Sequence, residues 1–502
     1  MHRTVNLFDT ASMLFVCLLL ACGGEAGKGL VYYETYDPRS LDPALSTDVP
    51  TGEMVTLLFD GLTQFDPDGR LLPGLADRWW AERNGQRYVF HLRPGVKFHD
   101  GRTVVAADVK RSILRVLDPA TRGGRVWPLQ PIADPNGTGI EVLGDTAVAF
   151  TLTEPLAVFP KFLAMPVASV VATPDVGTGP WRLAAWRHDD ELQFARNPDY
   201  WGGAPQAESL TVRIIPEPFT RGAEFLAGRI SVAEIPFGET AKWEQDHPAW
   251  LQRKPALRAI YVALNNRRGP LRDARVRRAI NHAVNVPEIL RTVWNGRGIA
   301  ARGAIPPSLG GGDTTRPGYV YDTAQARRLL TEAGFPNGFV VQLWRSGTNV
   351  EQGRVAQAIQ AQLGAVGIRV EVVARDASSM REAARKGEAD MAMLDWWADY
   401  PDGDNFLYPL FHSASFGPGG NYAFYSDPVT DSLIMVARRT TDDAAREALY
   451  HRIDGRVYEA APWLYLWFPV DLWAQHPSIS GWEIPVIFNG QRWTTVRRVS
   501  SQ

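Results

Sequence analysis

The 502-residue chain has only two cysteines, Cys17 and Cys22, and both lie near its start. A disulfide needs two cysteines, so the sequence after Cys22 must hold its cores together without one. At roughly 150 residues per domain, the length predicts about three domains. The apolar fraction of 45% is sufficient for cores of that size, because large domains bury enough surface to fold without cross-links.

The chain also lacks basic runs and has little net charge. Lysine and arginine number 53, aspartate and glutamate number 55, and the net charge is -2. Proteins that bind nucleic acids neutralise backbone phosphates with clustered cations. We therefore expect no nucleic-acid partner.

Common catalytic motifs are absent as well. The sequence has no Gly-x-Ser-x-Gly, no His-Glu-x-x-His and no Gly-Lys-Ser/Thr loop, which are typical of hydrolases, zinc proteases and nucleotide-binding enzymes. The nine histidines are scattered and none has the spacing of metal ligands. The sequence predicts a protein that is not an enzyme and holds neither a metal nor a cofactor. An exported hydrolase is the alternative from another class.

Long apolar stretches are missing too. Residues 11–20 form an apolar run that follows Arg3, and about ten residues are too few to span a bilayer, which takes about 20. The run therefore predicts a signal peptide and not an anchor helix.

The end of this run, Leu19-Leu20-Ala21-Cys22, resembles the lipobox of bacterial lipoproteins. The resemblance implies cleavage before Cys22 and acylation of that residue, so that 1–21 is a signal peptide and the glycine-rich stretch 22–28 is a flexible tether. More than one acyl chain anchors a protein stably to a membrane. An exported, membrane-anchored protein of the cell envelope is expected, and an ordinary secretory signal cut nearby is the alternative.

Strands and helices alternate regularly in the second half of the chain. Apolar periodicity predicts strand 339–344, helix 350–363, strand 368–373, helix 379–386 and strand 390–396. This βαβαβ order predicts a largely parallel sheet, and ligands bind at the carboxyl ends of such strands. The loop 396–404, which follows the last strand, is therefore the best candidate for a site.

Several short motifs, taken together, identify a family. They resemble those of the extracytoplasmic solute-binding proteins of peptide ABC importers, the dipeptide- and oligopeptide-binding family, along nearly the whole chain after the tether. The motifs are Ser40-Leu41-Asp42-Pro43, Phe59-Asp60-Gly61-Leu62, Leu92-Arg93-Pro94-Gly95-Val96-Lys97-Phe98-His99-Asp100-Gly101, Gly177-Thr178-Gly179-Pro180, Asn197-Pro198-Asp199-Tyr200-Trp201, Arg275-Val276-Arg277-Arg278-Ala279-Ile280 and Trp397-Ala398-Asp399-Tyr400.

The resemblance implies an α/β, two-lobed periplasmic-binding-protein fold with an extra domain and a hinge between the lobes. Closure around a ligand is a known movement of such proteins. The implied limits are 29–61, 178–265 and 477–502 for a discontinuous domain I, 62–177 for domain II and 266–476 for domain III. It further implies a monomer that takes a peptide ligand and then docks on ABC permease subunits.

The resemblance also implies how a peptide is held. Peptide binders of the family use an aspartate after the loop tryptophan to bind the α-amine, and Asp399 matches that position, whereas Trp396 matches the pocket aromatic. Because Trp396 and Trp397 alternate along a strand end, one should face the cleft and the other the core. The alternative for Asp399 is a cap of the following turn.

Other residues are weaker ligand-binding candidates. Arg345 follows a strand and is expected either to bind the peptide carboxylate or to be a solvated surface arginine. The remaining candidates, next to the loop, in the opposing lobe and near the lobe crossover, are Tyr400, Tyr33, Glu34, Thr35 and Thr178. Glutathione, haem, a nickel chelate, a sugar or a signalling peptide are alternative solutes, and a lipoprotein that senses or scaffolds without transport is a further alternative.

Overall fold

The structure is a computed structural model that describes residues 29–499. The predicted signal peptide, the predicted tether and the predicted lipidation site Cys22 lie outside the described residues. Between residues 29 and 499, no helix combines the length and the apolar character that a membrane span requires.

Strands and helices are numbered in chain order. The strands are β1 (Leu30–Glu34), β2 (Thr63–Phe65), β3 (Leu71–Pro73), β4 (Ala76–Glu82), β5 (Arg87–Leu92), β6 (Ile140–Val142), β7 (Ala147–Thr151), β8 (Trp181–Arg187), β9 (Glu191–Arg196), β10 (Ser209–Ile214), β11 (Val232–Glu234), β12 (Leu251–Pro255), β13 (Arg258–Leu264), β14 (Gly298–Ala300), β15 (Phe339–Ser346), β16 (Ile368–Arg375), β17 (Met391–Trp397), β18 (Trp463–Gln475), β19 (Ile479–Ser480) and β20 (Arg497–Arg498). The α-helices are α1 (Val49–Leu58), α2 (Ala106–Leu117), α3 (Phe159–Phe162), α4 (Pro218–Leu226), α5 (Thr240–Asp246), α6 (Ala274–Ala283), α7 (Val286–Thr292), α8 (Thr323–Glu332), α9 (Val350–Gly364), α10 (Ala377–Arg385), α11 (Asp404–Phe411), α12 (Pro428–Arg439) and α13 (Asp443–Ala460).

The predicted βαβαβ unit is present. β15 lies between β16 and β17 and is parallel to both, and α9 and α10 connect the three strands. The carboxamide of Asn349 accepts the backbone N–H of Gln352, and the carboxylate of Asp376 accepts that of Ser379, so each helix begins at a side-chain cap.

The whole sheet is mixed and not largely parallel as predicted. Its order is β11-β18-β13-β17-β15-β16, and β13 is antiparallel to both β17 and β18. Antiparallel neighbours need no crossover helix, so the alternation of strand and helix covers only one half of the sheet. The long strand β18 also pairs with β11 and β12 through its second half.

Two further sheets have four strands each. One has the order β1-β10-β9-β8, with β1 at its edge and parallel to β10. The other has the order β4-β5-β7-β6, and its core includes the buried rings of Phe90, Phe150 and Phe159. The domain limits given above stay a prediction. β11 and β12 fall in predicted domain I, yet they pair with β18 of predicted domain III.

Candidate functional site

A cavity of about 730 Å³ lies where the end of β17 faces β1 and α1. Clefts of this size suit small-molecule ligands. Its walls come mainly from segments 32–36, 46–57, 165–167, 397–399 and 482–493, together with single residues from other elements.

The strand β17 delivers Trp397 and Asp399 to this cavity, whereas Trp396 lies outside it. Trp397 is 56% exposed, and the guanidinium of Arg258 lies 4.4 Å from its ring centroid. Trp396 packs against the core, and its indole N–H donates to Asn405. The predicted alternation is present, but the cavity aromatic is Trp397 and not Trp396. Neighbouring residues of a strand point to opposite faces, and Trp396 takes the core face.

Asp399 forms an ion pair with a residue far away in the sequence. The guanidinium of Arg125 donates to Asp399 Oδ1 at 2.5 Å, and the two side chains are 31% and 27% exposed. Within the described chain, the Asp399 carboxylate accepts no backbone N–H, whereas the turn that follows is held by Asp402, which accepts the N–H of Asp404. Burial raises the pKa of Asp399, and the charge of Arg125 opposes that rise. The carboxylate is thus a partly buried acceptor for a cation.

The sequence reasoning missed Arg125. It follows Gly123-Gly124, and its guanidinium also donates to the backbone oxygen of Thr47. A Cβ at Gly124 would lie 2.2 Å from a methyl carbon of Thr47, so only glycine allows this close approach. Nothing in the sequence spacing connects Arg125 to Asp399, and the pair arises from tertiary contact alone.

The opposing wall contains the predicted residues Tyr33, Glu34 and Thr35. Tyr33 is buried, and its hydroxyl accepts the backbone N–H of Glu234. Glu34 is 5% exposed, and within residues 29–499 its Oε1 has no hydrogen-bond partner. The role of these residues in ligand binding stays a prediction.

Glu53 was not predicted and lines the cavity next to Glu34. The hydroxyl of Tyr32 lies 3.4 Å from Glu53 Oε2 and donates to it. Burial raises the pKa of Glu53 to about 7, and the hydrogen bonds that Glu34 and Tyr32 make to its carboxylate oppose that rise. Burial and the nearby Glu53 charge raise the pKa of Glu34 well above its ordinary value.

Three further predicted residues lie outside the cavity lining, and their predicted place is corrected. Tyr400 is buried and donates to Asp404 at 2.7 Å. Thr178 is buried and donates to Asp60 at 2.7 Å. Arg345 donates to the neighbouring Ser346 carbonyl. The hydroxyls of Tyr400 and Thr178 are therefore occupied by bonds within their own part of the fold, whereas Nε of Arg345 is buried without a partner among the described residues.

Acidic residues outnumber basic residues on the cavity wall. Three arginines face six acids, which are Glu34, Asp48, Glu53, Glu234, Asp399 and Asp471. Burial raises the pKa of Asp471 to about 7. In the described part of the chain, no group of three or more potential ligand residues is arranged to hold a metal ion. This wall favours a ligand that carries positive charge.

Comparisons with known proteins extend these observations. Residues 70–418 match the family model "Bacterial extracellular solute-binding proteins, family 5 Middle". A glutathione-binding protein of Pectobacterium atrosepticum is 33% identical over 447 residues, 85% of this chain and 86% of the relative. A dipeptide-binding protein of Escherichia coli is 31% identical and covers 90% of this chain and 91% of its own length.

A solved structure has the same fold. It is the ABC transporter-associated periplasmic binding protein DppA from Helicobacter pylori in complex with the peptide STSA. The TM-score is 0.78 at 29% identity, with 94% of this chain and 98% of that chain covered.

Proposed function

The chain belongs to family 5 of the bacterial extracellular solute-binding proteins, and we propose that it captures short peptides in its cavity for delivery to an ABC permease. The fold is the two-lobed α/β fold of periplasmic binding proteins. Relatives are substrate-binding transport proteins, and we propose that this chain likewise binds its ligand without turnover.

The proposal rests on the carboxylate of Asp399, which lines the cavity and has Arg125 as its ion-pair partner. A peptide ammonium that enters the cavity takes the place of this guanidinium and keeps the carboxylate paired. Charge-assisted hydrogen bonds of this kind are short and strong. Asp399 is therefore the proposed anchor of the ligand α-amine.

The strand β1 supports an extended ligand. It is the edge strand of its sheet, and Val31 of this strand bonds to Ser231 on the outer side. Beyond that contact, a peptide in extended conformation can add to the edge through its backbone groups, whatever its side chains are. Tyr33, Glu34 and Thr35 are the proposed contacts on this wall.

Glutathione is the second candidate, because the 33% identical relative is a glutathione-binding protein. Glutathione is a tripeptide and fits the cavity volume, but it brings two carboxylates. Six acids against three arginines on the wall favour a ligand with fewer negative groups.

The cellular setting completes the proposal. Cys22 is lipidated after removal of residues 1–21, and the anchored monomer works on the outer side of a membrane, with domain limits as given above. Replacement of Cys22 by serine, with the protein then tracked in membrane and soluble fractions, tests the anchor. Recovery of the variant in the membrane fraction at the wild-type level contradicts it.

The ligand is tested with matched peptides. Calorimetric titration of the purified protein compares Ala-Ala, N-acetyl-Ala-Ala and glutathione. Acetylation removes the ammonium and leaves the backbone, so we expect binding of Ala-Ala and a loss of at least about 30-fold for the acetylated form, since one side of a charge pair is worth about 2 kcal/mol or more. Equal affinity of the two peptides contradicts the amine anchor, and tighter binding of glutathione than of Ala-Ala favours the second candidate.

A further inference from the structure

Glu34 and Glu53 form an acidic pair on the cavity wall opposite β17. Glu34 is the last residue of β1, and Glu53 lies in the second turn of α1. Both line the cavity. This pair is separate from the ion pair of Asp399 with Arg125.

The acidic pair has no counter-charge. Oε1 of Glu34 is buried and, across the described residues, has no hydrogen-bond partner. Apart from the contact between the two carboxyl groups themselves, the side-chain hydrogen bond that Glu53 accepts from the described residues comes from Tyr32 at 3.4 Å. No ion pair within residues 29–499 includes either glutamate, whereas Asp399 has one. A buried polar atom without a partner is unfavourable, so Oε1 of Glu34 points to a donor that the chain itself does not supply.

The three arginines of the wall do not fill this gap. Arg125 is bound to Asp399. Arg221 donates to the carbonyl of Pro216 and lies 5.0 Å from the ring centroid of Tyr33. Arg381 is exposed.

We propose that Glu34 and Glu53 form a second cation subsite, which binds the ammonium or guanidinium of a ligand side chain. The ligand class is then a peptide that carries a lysine or arginine residue besides its α-amine. This inference rests on the proposed function, because it assigns a side-chain contact to the same peptide that Asp399 anchors. A cation between two carboxylates replaces an unpaired acceptor and a like-charge contact with charge-assisted hydrogen bonds.

The surroundings predict how the subsite responds to pH. The titratable groups of the described residues that interact with the acidic pair are Tyr32, Tyr36 and Asp48, none of which is basic. Burial is the main cause that raises the pKa of Glu53 to about 7 and that of Glu34 well above its ordinary value. At low pH the pair is protonated and must release protons to bind a cation, so the preference for basic peptides increases with pH.

Titration calorimetry of the purified protein tests this with Ala-Lys and Ala-norleucine, which differ by the side-chain ammonium. At pH 8 we expect Ala-Lys to bind about tenfold tighter or more, and at pH 5.5 the preference should fall to about threefold or less, as expected for a charge pair that is lost on protonation. Ala-Glu should bind more weakly than Ala-norleucine at pH 8.

Variants assign the preference to the pair. Glu34→Gln and Glu53→Gln should each reduce the ratio of the Ala-norleucine to the Ala-Lys dissociation constant at pH 8 to about threefold or less. Glu371→Gln, on an exposed position of β16 outside the cavity lining, is the matched control and should retain the preference. Thermal unfolding shows whether each variant is folded.

The outcomes separate the two proposals. If Ala-norleucine binds and Ala-Lys binds no tighter to the wild type at pH 8, the second subsite is wrong and the peptide function stands. If the preference persists in both glutamine variants, it arises elsewhere and the assignment is wrong. If neither peptide binds at either pH, the proposed function is wrong and the subsite with it.

Discussion

The two ends of the cavity both carry carboxyl groups, but these groups differ in whether a cation of the chain pairs with them. At the β17 end, Asp399 has a cation at 2.5 Å from another part of the chain. At the β1 end, Glu34 and Glu53 face each other, and residues 29–499 form no ion pair with either of them. The Asp399 side chain is 27% exposed and Glu34 is 5% exposed, so the two ends differ in burial as well as in the partner.

This difference has a consequence for binding. When a ligand ammonium replaces Arg125 at Asp399, one cation is exchanged for another and the buried charge changes little. At the Glu34 end, an arriving cation must displace protons, because burial raises the pKa of both glutamates. In the proposed function, the first end therefore binds a group that every peptide has, and the second selects among peptides in a way that depends on pH.

The largest expected effect comes from removal of the Asp399 carboxylate. Asp399→Ala should weaken binding of Ala-Ala by about 2 to 5 kcal/mol, the range for truncating one side of a buried charge pair. Calorimetric titration measures this change. Asp190→Ala is the matched control, because Asp190 forms an exposed ion pair with Arg187 away from the cavity, and it should bind like the wild type. Unchanged affinity of Asp399→Ala refutes the anchor.

The next effect is a change in stability at the Glu34 end. Glu53 has an ordinary pKa of 4.5 and a folded-state pKa of about 7, so the folded state holds its proton longer than the unfolded state does. Stability is therefore lost as the pH rises from about 4.5 to 7. Glu53→Gln removes this pH dependence. We expect the free energy of unfolding of the variant, measured relative to that of the wild type, to be about 1 to 3 kcal/mol higher at pH 8 than at pH 4.5.

Unfolding in denaturant at pH 4.5, 6 and 8 measures this difference. Asp471, whose pKa is also raised to about 7, changes stability in the same direction, so the comparison is between variant and wild type at each pH and not between pH values alone. Glu371→Gln again serves as the control, and equal pH profiles of wild type and Glu53→Gln contradict the unpaired state of the β1 end.

The two ends also differ in how far the sequence predicts them. The end of β17 is marked by local signals, because strand and helix periodicity between 339 and 396 places the loop at the carboxyl edge of a sheet. The structure confirms those elements to within a few residues. Glu34 is also found from local signals, because it ends a short run of strand-forming residues.

The partners of these residues are not predictable in the same way. Arg125 and Asp399 are 274 residues apart, and Glu53 reaches Glu34 only because α1 packs beside β1. The finding that Trp397 and not Trp396 lines the cavity has a similar cause. Alternation predicts that one of them faces the core, but which one does so depends on the pairing with β13, where Arg258 lies opposite Trp397. Long-range pairing decides these contacts, and local periodicity carries no information about it.

The smallest expected effect comes from removal of the Arg125 guanidinium. Its direction tests whether the ligand ammonium displaces that guanidinium from Asp399. Arg125→Ala removes the cation that competes with the ligand ammonium, so Ala-Ala should bind about fivefold tighter, which corresponds to about 1 kcal/mol for a partly exposed ion pair. N-acetyl-Ala-Ala, which has no ammonium, should gain nothing. Titration of both peptides against this variant and the wild type measures the change. Weaker binding of Ala-Ala would instead make Arg125 a ligand contact, and the β17 end would then hold the peptide with two charges of its own.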